Sequence, residues 1–270
     1  MILYSEIIGS GNTQIIILHG LYGNKDSWKQ VAQILKSDFT IHLIDQRNHG
    51  NSFFDNEHNY PCLVNDLKKY CQAHDLNHIN IVGHSMGGKV AMFFAAKYPQ
   101  AVNKIVVADI SPRNYTALMD HVESIRFHLN LVSVMKNLPL EKFSTFRELS
   151  QHIKDITAEE KNIILKNLRK ENNKFVWKIN VNAIMKNMPE IMSGLDPDDF
   201  INTKIGIPAM FLKASDSNYI NKSDIKLIHF IFSNSQIITI QNAGHWLHFE
   251  QPEDVARQIS NFLKPDHENT

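Results

Sequence analysis

The stretch Ile79-Asn80-Ile81-Val82-Gly83-His84-Ser85-Met86-Gly87-Gly88, running directly into KVAMFFAAKY at residues 89–98, decides how this chain reads. INIV is a short β-branched apolar run of the kind that forms a buried strand, and the following segment has helical spacing until Pro99 stops it. Between them Gly83 and Gly87 flank Ser85 at two residues on either side. Small residues there are what a sharp strand-to-helix turn needs if it is to hold one side chain out at the end of a sheet. A G-x-S-x-G string alone arises by chance in roughly one chain in ten of this length at average glycine and serine usage, so the weight rests on its context. A hydroxyl so placed is a candidate nucleophile, and the helix N-terminus behind it favours negative charge developing nearby. The plain alternative is a glycine-rich turn in a non-enzyme.

Working outward, similar runs occur at residues 14–18 (QIIIL), 40–44 (TIHLI), 104–108 (KIVVA), 208–212 (PAMFL) and 236–240 (QIITI). Helical patterns lie between several of them, at 28–35, 63–74 and 89–98, with another at 252–263. Strand alternating with helix predicts an α/β fold, a mostly parallel central sheet flanked by helices. The rhythm breaks between Asp109 and Ile207, where Leu118, Val122, Ile125, Phe127, Leu129 and Val132 have helical spacing, as do stretches 145–156 and 158–168. Residues 111–204 are therefore expected to be a helical cap inserted into a core made of residues 1–110 and 205–270. Its Phe143, Phe146, Trp177 and Met188 are read mainly as helix packing, with a minority lining a pocket.

Composition removes other classes. The 270 residues are 43% hydrophobic and 21% charged, an ordinary globular balance. Lys plus Arg and Asp plus Glu both number 28, without the basic excess that phosphate-backbone binding leaves, so no nucleic-acid partner is expected. Cys62 and Cys71 form no CxxC pair, and His74 and His78 have no third ligand, so neither a disulfide framework nor a metal site is indicated. The opening MILYSEIIGSG lacks a basic segment and a long apolar run, and no stretch is long enough for a membrane span. A cytoplasmic protein with reduced thiols is the expectation.

Three further motifs stand in a fixed order with the serine turn: His19-Gly20-Leu21-Tyr22-Gly23, the run DQRNHGNS at 45–52, and Ala243-Gly244-His245-Trp246. Together they resemble the HGxxG, DxRxxGxS and late-histidine motifs of the α/β-hydrolase superfamily across nearly the whole chain. More narrowly, DQRNHGNS, VADISP, FVWKIN and NAGHWLHFEQP resemble a group of small bacterial esterases and acyl-CoA thioesterases with mitochondrial relatives.

A serine hydroxyl needs a neighbouring base, and imidazole titrates in the useful range. Of fourteen histidines, His245 occupies the position from which the superfamily's histidine reaches its serine. His248 is its neighbour and rival, while His19, His49 and His84 read as structural. A carboxylate should orient the imidazole. Asp109 ends the strand KIVVAD, and Asp216 lies beyond the strand at 208–212, the superfamily's more usual place. The resembling esterase group implies Asp109, although its next loop commonly reads GGNSxY and here reads ASDSNY. Backbone N–H groups of Leu21 and Met86 fit the oxyanion role that the fold implies. Trp246 and Trp177 are the candidate substrate contacts. Arg47 is read as a structural ion-pair residue. The resemblance implies hydrolysis of a small-molecule ester or thioester through an acyl-enzyme, with no cofactor; the alternatives are a carbon-carbon hydrolase, a perhydrolase, an acyltransferase or a non-catalytic small-ligand-binding protein of the same fold.

Overall fold

The computed structural model describes residues 1–116 and 122–264. Leu118 lies outside the described residues, as do the side chains of Val122 and Ile125. The strands are β1 (Ser5–Ile8), β2 (Thr13–Leu18), β3 (Phe39–Ile44), β4 (Ile79–His84), β5 (Val102–Ala108), β6 (Leu168–Glu171), β7 (Lys174–Trp177), β8 (Ala209–Ala214) and β9 (Ser235–Ile240). Seven of them form one sheet in the order β1-β3-β2-β4-β5-β8-β9. Every pairing in it is parallel except β1 with β3, which is antiparallel at the edge.

Side chains alternate between two cores, as a strand's period of two requires. Ile16, Leu18, Ile81, Ile105, Val107 and Phe211 face one core, while Ile15, Ile17, Val82, Val106, Met210 and Leu212 face the other. The second core is closed by α1 (Lys29–Leu35), and the first by α2 (Tyr60–Ala73) and α3 (Met86–Lys97). With both faces covered, the central strands are apolar on both sides, which is why they read as continuous hydrophobic runs. Because β4 lies beside β2 with β3 on the far side, the strand order reverses there, and the loops leaving β2 and β4 flank the crevice where open α/β sheets bind ligands.

Between β5 and β8 come α4 (Val122–Asn137), α5 (Phe146–His152), α6 (Ala158–Lys166), α7 (Val181–Lys186) and α8 (Met188–Met192). This segment, expected as a run of helices, also holds the antiparallel hairpin of β6 with β7. Its two-residue turn is Asn172-Asn173, both at positive φ (48° and 63°), the conformation that an asparagine pair tolerates in a tight hairpin. The two ends of the segment are fastened together: Tyr115 N–H donates to Met192 O and Leu195 N–H to Pro112 O, each at 2.9 Å. Lys89, buried on α3, donates to the carbonyls of Pro112 (3.1 Å), Ser193 (3.0 Å) and Arg113. The segment then folds over the loops at the sheet's carboxyl edge, where Asn180 N–H donates to Asn48 O and Asn167 Nδ2 to Tyr22 O. After β8, α9 (Lys222–Ile231) covers the first core; after β9, α10 (Leu247–Glu250) and α11 (Pro252–Leu263) complete the second. Among the described residues no helix is long and apolar enough to cross a membrane.

Candidate active site

Ser85 sits between β4 and α3 with φ 50° and ψ −118°, a strained conformation for a residue with a Cβ. Its neighbours explain how the strain is held. A Cβ on Gly83 would come within 2.3 Å of Gly87 O, and one on Gly87 within 2.4 Å of Leu18 O. The turn is fixed at both ends, by Ser85 N–H to Ala108 O and by Lys89 N–H to Ser85 O, each 3.0 Å. The strand, the two glycines and the helix therefore push one hydroxyl to the sheet edge at a fixed place.

His245 is brought to the same place by the loop after β9. Its Nδ1 lies 2.9 Å from Asp109 Oδ2. A carboxylate only accepts, so Nδ1 carries the proton and Nε2 is left as the acceptor that a general base needs. Tyr219 stacks on the imidazole with ring centroids 4.0 Å apart. Asp109 is fully buried, also at positive φ (47°), and its carboxylate accepts from Ala214 N–H at 3.1 Å and from the Ser217 hydroxyl. Three donors compensate the burial of one carboxylate. Asp216 is exposed and its Oδ1 accepts from Ser215 Oγ at 2.8 Å. Of the two candidate acids, Asp109 is the one bonded to His245.

A cavity of about 190 Å³ is lined by Ser85, His245, Leu21, Tyr22, Tyr219 and Trp246, together with Phe127, His128 and Glu159 from the inserted segment. Leu21 belongs to a turn closed by Gly23 N–H to Gly20 O, with Tyr22 at positive φ (64°). Met86 is the first residue of α3, so its N–H has no acceptor one turn back in the helix. Trp246 is half-buried and its indole N–H donates to Glu159 Oε1 at 2.8 Å. Trp177 stands apart: it is on β7, paired with Leu168, and is not among the described residues lining this cavity. Phe143, Phe146 and Met188 are likewise absent from that lining; Phe146 packs edge-on against Phe175 in the hairpin, and Met188 is buried in the core.

Burial disfavours the charged form of the surrounding imidazoles. Burial pulls His128 and His248 down to about 3, with the nearby His245 a lesser cause, and holds His84 well below the usual range. His248, the rival base, stacks on Trp28 at 4.5 Å and does not line the cavity. His84 Nε2 donates to His245 O at 2.8 Å, and His19 accepts from Gln46 N–H at 3.0 Å. Arg47 makes a two-pronged contact with Asp66 at 2.5 and 3.1 Å in the buried interior, which is the structural role expected of it. Ser217, Tyr219, Phe127, His128 and Glu159 went unforeseen as site residues. For the first two a signal existed, since Ser217-x-Tyr219 retains the Ser and Tyr of the GGNSxY pattern. Phe127 and His128 depend on how α4 is rotated against the core, and periodicity does not fix that.

Comparison with known proteins agrees with this fold. Residues 13–252 match the alpha/beta hydrolase fold family. The chain is 31% identical over 268 residues to the sn-1-specific diacylglycerol lipase ABHD11 of Danio rerio, covering 97% of this chain and 82% of that protein. It is 27% identical over 252 residues to esterase YbfF of Escherichia coli (strain K12), covering 93% of each. The solved structure of a marine microorganism esterase superposes with a TM-score of 0.88 at 37% identity, over 97% of this chain and 99% of that one. By sequence and by architecture alike, the chain belongs to the α/β-hydrolase family.

Proposed function

We propose that this protein is a serine hydrolase that cleaves carboxylic esters, with thioesters as the chemically related second class, through an acyl-enzyme. Ser85 Oγ attacks the acyl carbonyl while His245 Nε2 takes its proton. Asp109 keeps the proton on Nδ1 and stabilises the imidazolium as it forms. The N–H groups of Leu21 and Met86 receive the oxyanion, and His245 returns its proton to the departing alcohol or thiol. Water, deprotonated by the same imidazole, then attacks the acyl-serine and releases the carboxylic acid. No step calls for a cofactor. Trp246 contacts the substrate beside His245. The 111–204 segment acts as the cap and shapes the acyl and alcohol space through Phe127, His128 and Glu159.

One observation carries the reading: a strained serine and a carboxylate-bonded imidazole, delivered by two separate loops, line the same small cavity. The esterase and lipase names of the relatives support the same bond class. Treatment with a fluorophosphonate tests it. The wild type should be labelled at Ser85, and Ser85→Ala should lose both the label and turnover, the latter by about 10⁶. Labelling of the alanine variant at the wild-type rate would remove Ser85 from the chemistry.

A further inference from the structure

Two cavities meet at Trp246. The inner one holds Ser85 and His245 in about 190 Å³; the outer one, of about 500 Å³, lies between the loop after β2 and α6. Tyr22, Glu159 and Trp246 line both, and the last two are joined by the indole-to-carboxylate hydrogen bond at 2.8 Å. The inner cavity alone is below the roughly 300–1,000 Å³ that accommodates a drug-sized ligand, whereas the outer one falls within it.

The direction of the substrate follows from proton transfer. Histidine must hand its proton to the leaving atom, so the leaving group lies on the His245 side of the carbonyl. Trp246, the next residue, packs edge-on against the His245 ring with centroids 5.6 Å apart and lines both cavities.

The outer wall also has a chemical preference. Lys166 Nζ lies over the Phe249 ring at 5.2 Å, and Lys178 Nζ donates to Lys166 O at 2.9 Å. Asp26 is paired with Lys25 at 2.8 Å and Lys29 at 3.0 Å. Glu159 and Glu250 accept instead from uncharged donors, the Trp246 indole and Gly244 N–H (2.9 Å). Among the described residues, two carboxylates without a cationic partner therefore share the wall with two lysines. That is not the cationic excess by which proteins hold several phosphates. Asn24, Ser27 and Asn162 add neutral polar groups to the same wall.

We infer that the outer cavity is the leaving-group subsite, reached past the Trp246–Glu159 pair as the partition between the two cavities, and that it takes uncharged groups bearing hydroxyl or amide functions in preference to polyanionic ones. This rests on the serine-hydrolase reading above.

The test compares S-butyryl-N-acetylcysteamine with butyryl-coenzyme A, which share the acyl group and the scissile bond but differ in leaving-group charge. The neutral thioester should have a kcat/KM higher by about tenfold at low ionic strength, with the gap narrowing near 0.5 M salt as charges are screened. Glu159→Gln with Glu250→Gln retains an acceptor oxygen at each position and should close the gap by about threefold to tenfold, mainly through KM. Better turnover of the coenzyme A thioester would overturn the preference, and so would a gap indifferent to both salt and the double variant. Glu159→Ala should raise kcat/KM for a pentaethylene glycol monobutyrate relative to methyl butyrate by several fold. An unchanged ratio would mean that the pair is no partition. Fluorophosphonate labelling of the same preparations separates the failures: labelled enzyme with the opposite preference sinks the subsite alone, and unlabelled enzyme sinks the serine mechanism beneath it.

Discussion

Asp109 and Asp216 leave the same edge of the sheet on the loops after β5 and β8, and their surroundings are opposite. Asp109 is sealed from solvent beneath His245, with Ala214 N–H, the Ser217 hydroxyl and the imidazole all donating to it. Asp216 faces solvent and accepts from its own neighbour. The β8 loop nevertheless contributes to the site, because Ser217, one residue on, points at the carboxylate from the other loop. The proposed triad acid is thus the carboxylate that is desolvated and surrounded by donors, rather than one chosen by the strand that precedes it. The same contrast divides two histidines: His245 opens to the cavity, while His248 is stacked away beneath it.

Four measurements can break or sharpen this contrast. Asp109→Asn should lower kcat by about 10⁴ with the fold retained, because an asparagine reverses the tautomer that His245 needs; wild-type kcat would end the case for Asp109. The buried histidines are next. Burial lowers His49, His128 and His248 to about 3, and His19 to about 4, in the folded chain. An unfolded histidine titrates near 6.5. Between those values the unfolded chain binds more protons, so their contribution is complete above about pH 6.5 and is lost as pH falls towards the folded values. Urea unfolding at about pH 7.5 and pH 5.5 should differ by a few kcal/mol, at most about 1.4 for each histidine. Equal midpoints would show that these imidazoles are not held neutral. Ser217→Ala removes one donor from a buried carboxylate and should cost about tenfold in kcat, whereas no change would confine Ser217 to loop structure. Asp216→Asn, the smallest, should alter kcat/KM by less than about twofold, as expected of an exposed charge; a collapse there with Asp109→Asn active would invert the comparison.

What was legible in the sequence followed from burial. The parallel strands are covered on both faces, so they stand out as apolar runs, and the observed strands extend those runs by only a residue or two. β1 escaped notice because SEII is a four-residue edge strand with no buried residue. β6 and β7 escaped because each buries a single side chain, although the Asn172-Asn173 pair between them was a turn signal in plain view. The turn that presents Ser85 was readable since its glycines meet a local steric requirement, and His245, the proposed base, was picked out by the position that the family resemblance gives it. The choice of acid was not, because both candidate loops satisfy the same topology and only side-chain direction separates them. Trp177 illustrates the converse. It was expected as a substrate contact, yet it stands on β7 outside the described lining of the Ser85 cavity, where Phe127 and His128 form the wall.

The fastening of Pro112 to Leu195 and of Tyr115 to Met192, reinforced by Lys89, makes the long segment between β5 and β8 a side branch whose entry and exit are one doorway. To the sheet, its length hardly matters. Closing a loop twice as long costs only about 0.6 kcal/mol more, and the strands on either side remain neighbours whatever passes through the doorway. Mutations within the branch can then alter the cavity wall at Phe127, His128 or Glu159 without disturbing the register that holds Ser85. A graft of a foreign branch would need to match the four residues at the doorway and also the contacts over the carboxyl edge, where Asn180 meets Asn48, Asn167 meets Tyr22 and Glu159 meets Trp246.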